Sequence, residues 1–376
     1  MEAFSFDESW QLLRRLLPAD LEQCARRTGF VRRLRGFSSV EVLTRLLLMH
    51  GSGLSLEQTA LRGAEQGLGE TSAVALHQRL RSSEAFWTEL CRHVQASLRP
   101  ALDEQGRWPQ GWKYRAIDAT DVTEPGATGS QWRVHYSLRL PELVCDHFEL
   151  TDYKAAETLR RWKIAAGEVV LADRAYSHRA ALAGLMEAGA HFVVRLNTGA
   201  FPLEKARAQP VDLLALLKGL AVGRPQAWSL WFRHGSERVP VRLCAVKKNA
   251  AAAAHSRQKA RRRAQQERLQ IQERTLQLAE YVLILTNLPP ETWTPSSVLE
   301  LYRCRWQVEL AFKRLKSLLQ VGHLPKKDQA TARSWMQMKL LLALLTERLL
   351  FDAEFVSPWG YDWRQLEPLE GVSGSL

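Results

Sequence analysis

Cysteine is scarce and shows no pairing pattern. Cys24, Cys91, Cys145, Cys244 and Cys304 are the five in 376 residues, with no CxxC and no Cys/His spacing of a zinc site. An odd, scattered set argues against a disulfide framework and for a reduced compartment. Histidines are equally dispersed: His77, His135 and His178 share no ligand spacing and read as structural or surface groups. The greasiest stretch, residues 340–345, is far too short to span a bilayer. The first nine residues hold no basic segment followed by an apolar one, so no signal peptide is expected. With membrane and secretion set aside, the expected location is cytoplasmic. What is in surplus is positive charge, 52 Lys+Arg against 40 Asp+Glu, a net +12. Such a balance calls for a polyanionic partner, nucleic acid first. Thirteen Trp add flat rings that stack on bases as well as fill cores. At 46% hydrophobic and 24% charged the chain is otherwise ordinary globular protein, long enough for two or three domains.

Residues 1–105 read as helical. Apolar positions recur at helical spacing through 40–49, with Ser38 and Ser39 as caps, and glycine-containing breaks separate this from 55–60 and 72–81. Helix, turn and a helix ending in arginines is compatible with a DNA-reading helix-turn-helix and equally with plain helix packing. From about Gly111 the texture turns to strands: 114–120, a hairpin pair within 132–150, and 167–173. A helix over 179–188 and a strand over 191–196 complete an α/β core, taken as residues 106–199. Residues 200–290 interrupt it with antiparallel strands at 228–232 and 238–246, a strand at 281–286, and a basic run over 250–275. That run, which includes Arg261, Arg262 and Arg263, is either a solvated helix or a track for a phosphate backbone. Residues 291–355 read as helical again, followed by a loosely ordered tail, 356–376.

Three acids stand out. Asp118 and Asp173 each end a short apolar strand, where sites form at the rim of an α/β sheet, although strand-end Asp also serves turns. Strand alternation puts Asp118, Thr120 and Val122 on one face and turns Asp121 away. Glu309 lies on a helix starting near Ser297. At about 100° per residue, Tyr302, Arg305, Glu309 and Lys316 fall within an arc of roughly 60°. Val308, Ala311, Leu315 and Leu318 fall opposite, toward a core. An aromatic, two cations and an acid then face one cleft, unless the charges are ordinary i,i+4 pairs of Glu309 with Arg305 and Lys313.

The spacing Tyr302-x2-Arg305-x3-Glu309-x6-Lys316 resembles the YREK signature of one group of DDE insertion-sequence transposases, the insertion-sequence-four family. Ile117-Asp118-Ala119-Thr120 is similar to that group's first-Asp strand, and Leu171-Ala172-Asp173-Arg174-Ala175-Tyr176 to its second-Asp segment. Residues 110–320 carry the resemblance in order. It implies a ribonuclease-H-like catalytic core interrupted by a mostly β insertion domain, behind an α-helical N-terminal DNA-binding domain. It further implies Asp118, Asp173 and Glu309 as ligands of two Mg2+, with Mn2+ tolerated, since hard divalent ions prefer oxygen donors.

By the same resemblance Tyr302, Arg305 and Lys316 contact phosphates near the scissile bond, Trp306 and Arg195 contact the DNA end, and Arg174 is a further DNA-binding residue. Tyr281 occupies the place of an aromatic that stacks a flipped base in members using a hairpin intermediate; otherwise it is a core residue at a strand start. The implied activity is binding of terminal inverted repeats, cleavage of the element's ends and joining of their 3′-OH groups to target DNA. A homodimer on double-stranded DNA, in a bacterial nucleoid, is implied with it. Rival readings are a ribonuclease-H-like nuclease without strand transfer and a domesticated DNA-binding regulator.

Overall fold

A computed structural model describes residues 6–34, 36–98, 111–123, 130–140, 144–317 and 328–354. The expected tail, the Pro125-Gly126 turn and Leu318 lie outside the described residues. The front of the chain is helical: α1 (Phe6–Arg15), α2 (Leu21–Arg27), α3 (Val40–Gly51), α4 (Leu56–Glu65), α5 (Ala73–Arg81) and α6 (Glu84–Leu98). Their starts are set by side chains that satisfy otherwise orphaned amides. Ser39 accepts from Val42 N–H and Ser72 from Ala75 N–H, while Ser55 and Gln58 form a reciprocal capping box.

Among the described residues eight strands form one mixed sheet. They are β1 (Lys113–Thr123), β2 (Ser130–Leu140), β3 (Val144–Asp152), β4 (Glu168–Ala172), β5 (His191–Arg195), β6 (Gln226–His234), β7 (Glu237–Lys247) and β8 (Tyr281–Thr286). The order is β3-β2-β1-β4-β5-β8-β7-β6, with β1, β4 and β5 mutually parallel and the other pairings antiparallel. Residues 200–290 therefore extend the sheet of the preceding segment, because β8 pairs antiparallel with β5 and carries β7 and β6 outward. Two helices, α7 (Arg179–Glu187) and α8 (Leu213–Leu217), cover one sheet face. The basic run forms α9 (Ala250–Gln266), whose outer residues are exposed, and α10 (Glu273–Leu278).

The C-terminal helices are α11 (Pro295–Arg303), α12 (Trp306–Ser317) and α13 (Gln329–Glu354). Thr294 caps α11 and Pro295 stands in its first turn. The single helix expected to carry Tyr302 through Lys316 is thus two: Cys304 and Arg305 form a turn between them. Strand alternation divides the apolar residues into two cores. Tyr114, Ala116, Val122, Val169, Leu171, Val193 and Ile284 pack with residues of α1 to α6 and α11 to α13. Ile117, Val170, Ala172, Phe192, Val194, Leu283 and Leu285 pack on the α7 side. The front helices and α13 share the first core, and Arg333 Nε meets Glu84 Oε1 at 2.8 Å between α13 and α6. Buried Leu340, Leu341, Leu344 and Leu345 belong to that core. Among the described residues no helix is long and apolar enough to cross a membrane.

Candidate active site

The parallel ladder of β1 and β4 ends at the pair Ile117–Ala172. Asp118 and Asp173 are the next residues on the two chains, and paired strands lie about 4.8 Å apart. Both carboxylates follow a residue of the α7-side core and so point to the α12 face. Asp118 does not end its strand, as the sequence suggested. It sits mid-strand opposite Tyr136, because β1 continues along β2 after β4 has stopped. β4 stops where Asp173 turns the chain into a short 3-10 turn, Arg174–Tyr176. Asp121, on the other face, pairs with Arg133 at 2.8 Å.

Helix α12 brings the third acid across. Val308, Ala311 and Phe312 are buried against the sheet, which leaves Glu309 at the edge of the contact, 41% exposed. Arg305, only 14% exposed, fills the space between the acids. Its Nη1 donates to Asp118 Oδ2 at 3.2 Å and its Nη2 to Glu309 Oε1 at 2.5 Å. The guanidinium also lies 5.7 Å from the ring centre of Tyr302. Among the described residues nothing hydrogen-bonds to Arg305 Nε or the Tyr302 hydroxyl, both of which are buried. Such orphaned donors are costly, and a phosphate oxygen would satisfy them.

Burial raises the Asp118 carboxyl to about 6, and the neighbouring Asp173 and Glu157 push the same way. The Ala119 amide, which donates to Asp118 Oδ1 at 2.8 Å, and Arg305 act in the opposite sense. Burial likewise lifts the Tyr302 phenol to about 12. Beside these groups runs an open cleft of about 750 Å3 lined by Asp118, Ala119, Glu309, Phe312, Lys313 and Lys316. Glu157, held up by burial and facing Arg133, Asp121 and Asp173, is an acid that sequence reasoning did not single out. It lies in an irregular segment after β3, where no periodicity marks it.

The remaining predicted residues divide. Arg195 ends β5 on the Asp118 face, exposed, and its charge is felt by the Tyr302 phenol. Arg174 is exposed directly after Asp173. Trp306 is 47% exposed at the start of α12, with the Lys313 ammonium 5.6 Å from its ring. Lys316 is exposed at the cleft. Tyr281 is not brought to the acids: it packs on the α7-side core with Lys247 5.9 Å over its ring. Arg261, Arg262 and Arg263 are exposed on α9, with Arg263 spent on Glu267 at 2.7 Å.

Adjacent carboxylates, here Asp118 and Asp173, are oxygen donors of the kind that suits a hard divalent cation. In the arrangement described, Arg305 stands between two of them. Among the described residues no three acidic, His or Cys side chains are drawn together at metal-binding spacing.

An acidic sheet rim facing a helix with cations is a site that suits an anionic substrate. Comparison with known proteins narrows this. A family model described as the transposase DDE domain matches residues 144–345, a span that takes in Asp173 and Glu309 and begins after Asp118. The InsL protein of insertion sequence element IS186A from Escherichia coli K12 is 30% identical over 340 residues, covering 89% of this chain and 91% of that one. The transposase of insertion sequence element IS421 from Escherichia coli is 30% identical over 341 residues, with the same coverage. Among solved structures, the piggyBac transposase synaptic complex with hairpin DNA aligns with a TM-score of 0.47 at 10% identity, covering 92% of this chain and 76% of that one. The chain belongs to the DDE transposase family and is a transposase of insertion-sequence type. Enzymes of this family use a divalent metal.

Proposed function

We propose that this transposase, a YREK-group member with a ribonuclease-H-like core, binds the terminal inverted repeats of its element. It hydrolyses the phosphodiester bonds at the ends and joins the freed 3′-OH groups to target DNA. The observation that carries the reading is the pair Asp118 and Asp173 on one sheet face with Glu309 opposite. Asp118, Asp173 and Glu309 would hold two Mg2+, and the chemistry such ions would supply is stabilisation of the negative charge that develops on the phosphodiester oxygens.

The chain's own residues supply the rest. Asp118 must give up its contact with Arg305 before that oxygen can act as a ligand. Arg305, so released, has a free guanidinium edge and an unpartnered Nε for a phosphate oxygen, and the Tyr302 hydroxyl adds a second donor. Lys313 and Lys316 line the cleft that leads there and neutralise the backbone of an incoming strand. Trp306, exposed at the same edge, offers a stacking face for a terminal base. Arg195 and Arg174 extend the positive rim. Tyr281 lies on the opposite face and serves packing there, away from the acids. Two ends must be cut and joined together, which asks for two copies of the chain on DNA.

A strand-transfer assay with precut ends tests the reading. Joined product in Mg2+, lost in Asp118→Asn, Asp173→Asn and Glu309→Gln, is the expected result. Nicking without any joined product would favour a nuclease, and wild-type cleavage by all three variants would favour a DNA-binding regulator.

A further inference from the structure

The front helices hold a second basic cleft, about 590 Å3, lined by Gly29, Phe30, Arg32, Arg33, Arg79 and Ser82. Its arginines differ from those nearby. Arg26 is paired with Glu22 at 2.6 Å, and Arg27 and Arg92 with Glu89 at 2.7 and 3.0 Å. Among the described residues no carboxylate pairs with Arg32, Arg33 or Arg79, so three full charges converge on one depression. The backbone that presents them is anchored. Phe30 is 2% exposed and stacks on Phe86 of α6 with ring centres 4.6 Å apart, and Val31 N–H donates to Ala25 carbonyl at 3.3 Å. Arg79 is fixed by its own bonds: Nη2 donates to the Arg33 carbonyl at 3.0 Å and its guanidinium lies 5.8 Å from the Phe37 ring centre. Arg32 and Arg33 are exposed at the mouth. Unpaired cations on a rigid support lose little entropy on meeting an anion. Their mutual repulsion is relieved by one.

We propose that this cleft is a clamp for the phosphate backbone of duplex DNA, separate from the acidic rim, with Arg32 and Arg33 on phosphates and Arg79 setting their position. The clamp rests on the DNA-end reading above. Phosphate contacts fix register without reading sequence, so the clamp holds any duplex.

The test is binding of the full chain to a labelled random-sequence duplex across a salt series. Neutralising two phosphate contacts lowers the slope of log affinity against log salt by about 1.8 and weakens binding about 30-fold near 0.15 M salt. Arg32→Gln/Arg33→Gln is expected to show that change with an unaltered thermal melt. Arg26→Gln, which removes an arginine already paired with Glu22, is expected to keep the wild-type slope. A wild-type slope in the double variant overturns the clamp while the DNA-end reading stands. An equal loss in Arg26→Gln also overturns it, since the effect would then be net charge alone. If the wild-type chain binds no duplex at all, the DNA-end reading falls and the clamp with it.

Discussion

Arg305 sits where the proposed ligands Asp118 and Glu309 would close on a cation, which makes its removal an informative perturbation. Its contact with Asp118, 3.2 Å between groups 14% and 18% exposed, is a charge-assisted bond worth about 2 kcal/mol. Its contact with Glu309, 41% exposed, is worth about 1 kcal/mol after solvent screening. A divalent ion taking both carboxylates must break these contacts, a cost of about 3 kcal/mol. In Arg305→Ala that cost disappears, and Mn2+ binding to the DNA-free protein should tighten by about a hundredfold, since 1.4 kcal/mol is tenfold. The apo protein should lose about 3 kcal/mol, because Asp118 is left buried beside Asp173 without its cation. Mn2+ titration by calorimetry gives the affinity, and urea unfolding with and without Mn2+ gives the stability. The two should agree through linkage: at saturating Mn2+ much of the lost stability returns in the variant. Equal Mn2+ affinities, within twofold, in wild type and Arg305→Ala would refute the argument that arginine and metal compete for these oxygens.

Trp306→Ala should change unfolding free energy by less than about 0.5 kcal/mol, as expected for an exposed site, yet weaken binding to a precut DNA end by about 1–3 kcal/mol in a gel-shift titration. Tyr281→Ala should do the reverse, lowering stability while leaving end binding unchanged, because its ring packs on the α7-side core. His135 is fully buried, its Nε2 bonded to Thr151 and its Nδ1 unpartnered, and burial lowers it from 6.5 to about 4. The unfolded chain then binds the extra proton first. Stability from this group is complete above pH 6.5 and is lost as pH falls toward 4, by about 3 kcal/mol in all; urea midpoints across that window should flatten in His135→Asn. Gly63 faces Leu46 so closely that an added Cβ would clash with its Cδ2. Gly63→Ala should therefore lower the melting temperature despite its better helix propensity, overpacking costing about 1–3 kcal/mol.

The legible part of the site was what local pattern encodes. Alternation alone put Asp118 on one face of β1 and Asp121 on the other, and the sheet keeps that division. Burial of Val308 and Ala311 follows from their helical spacing. What escaped depends on pairing across the chain. Asp118 reads as a strand end because the apolar run stops there, whereas β2 keeps β1 extended for five further residues, of which only Val122 is buried. The face of Tyr281 had no signal: Tyr281 to Thr286 is apolar on both sides, as expected for a central strand, so its period of two is silent. A helical wheel puts Arg305 and Glu309 on one stripe only by taking 302 to 316 as one helix. The turn at Cys304 and Arg305 breaks it, and from that turn Arg305 reaches back across the sheet to Asp118, 187 positions earlier in the chain. A wheel describes neighbours along one axis; whether a cation on it guards an acid or decorates the surface is decided by what the sheet sets opposite. Here the sheet sets a second carboxylate beside the first, and a lone arginine cannot satisfy both as fully as a divalent ion can.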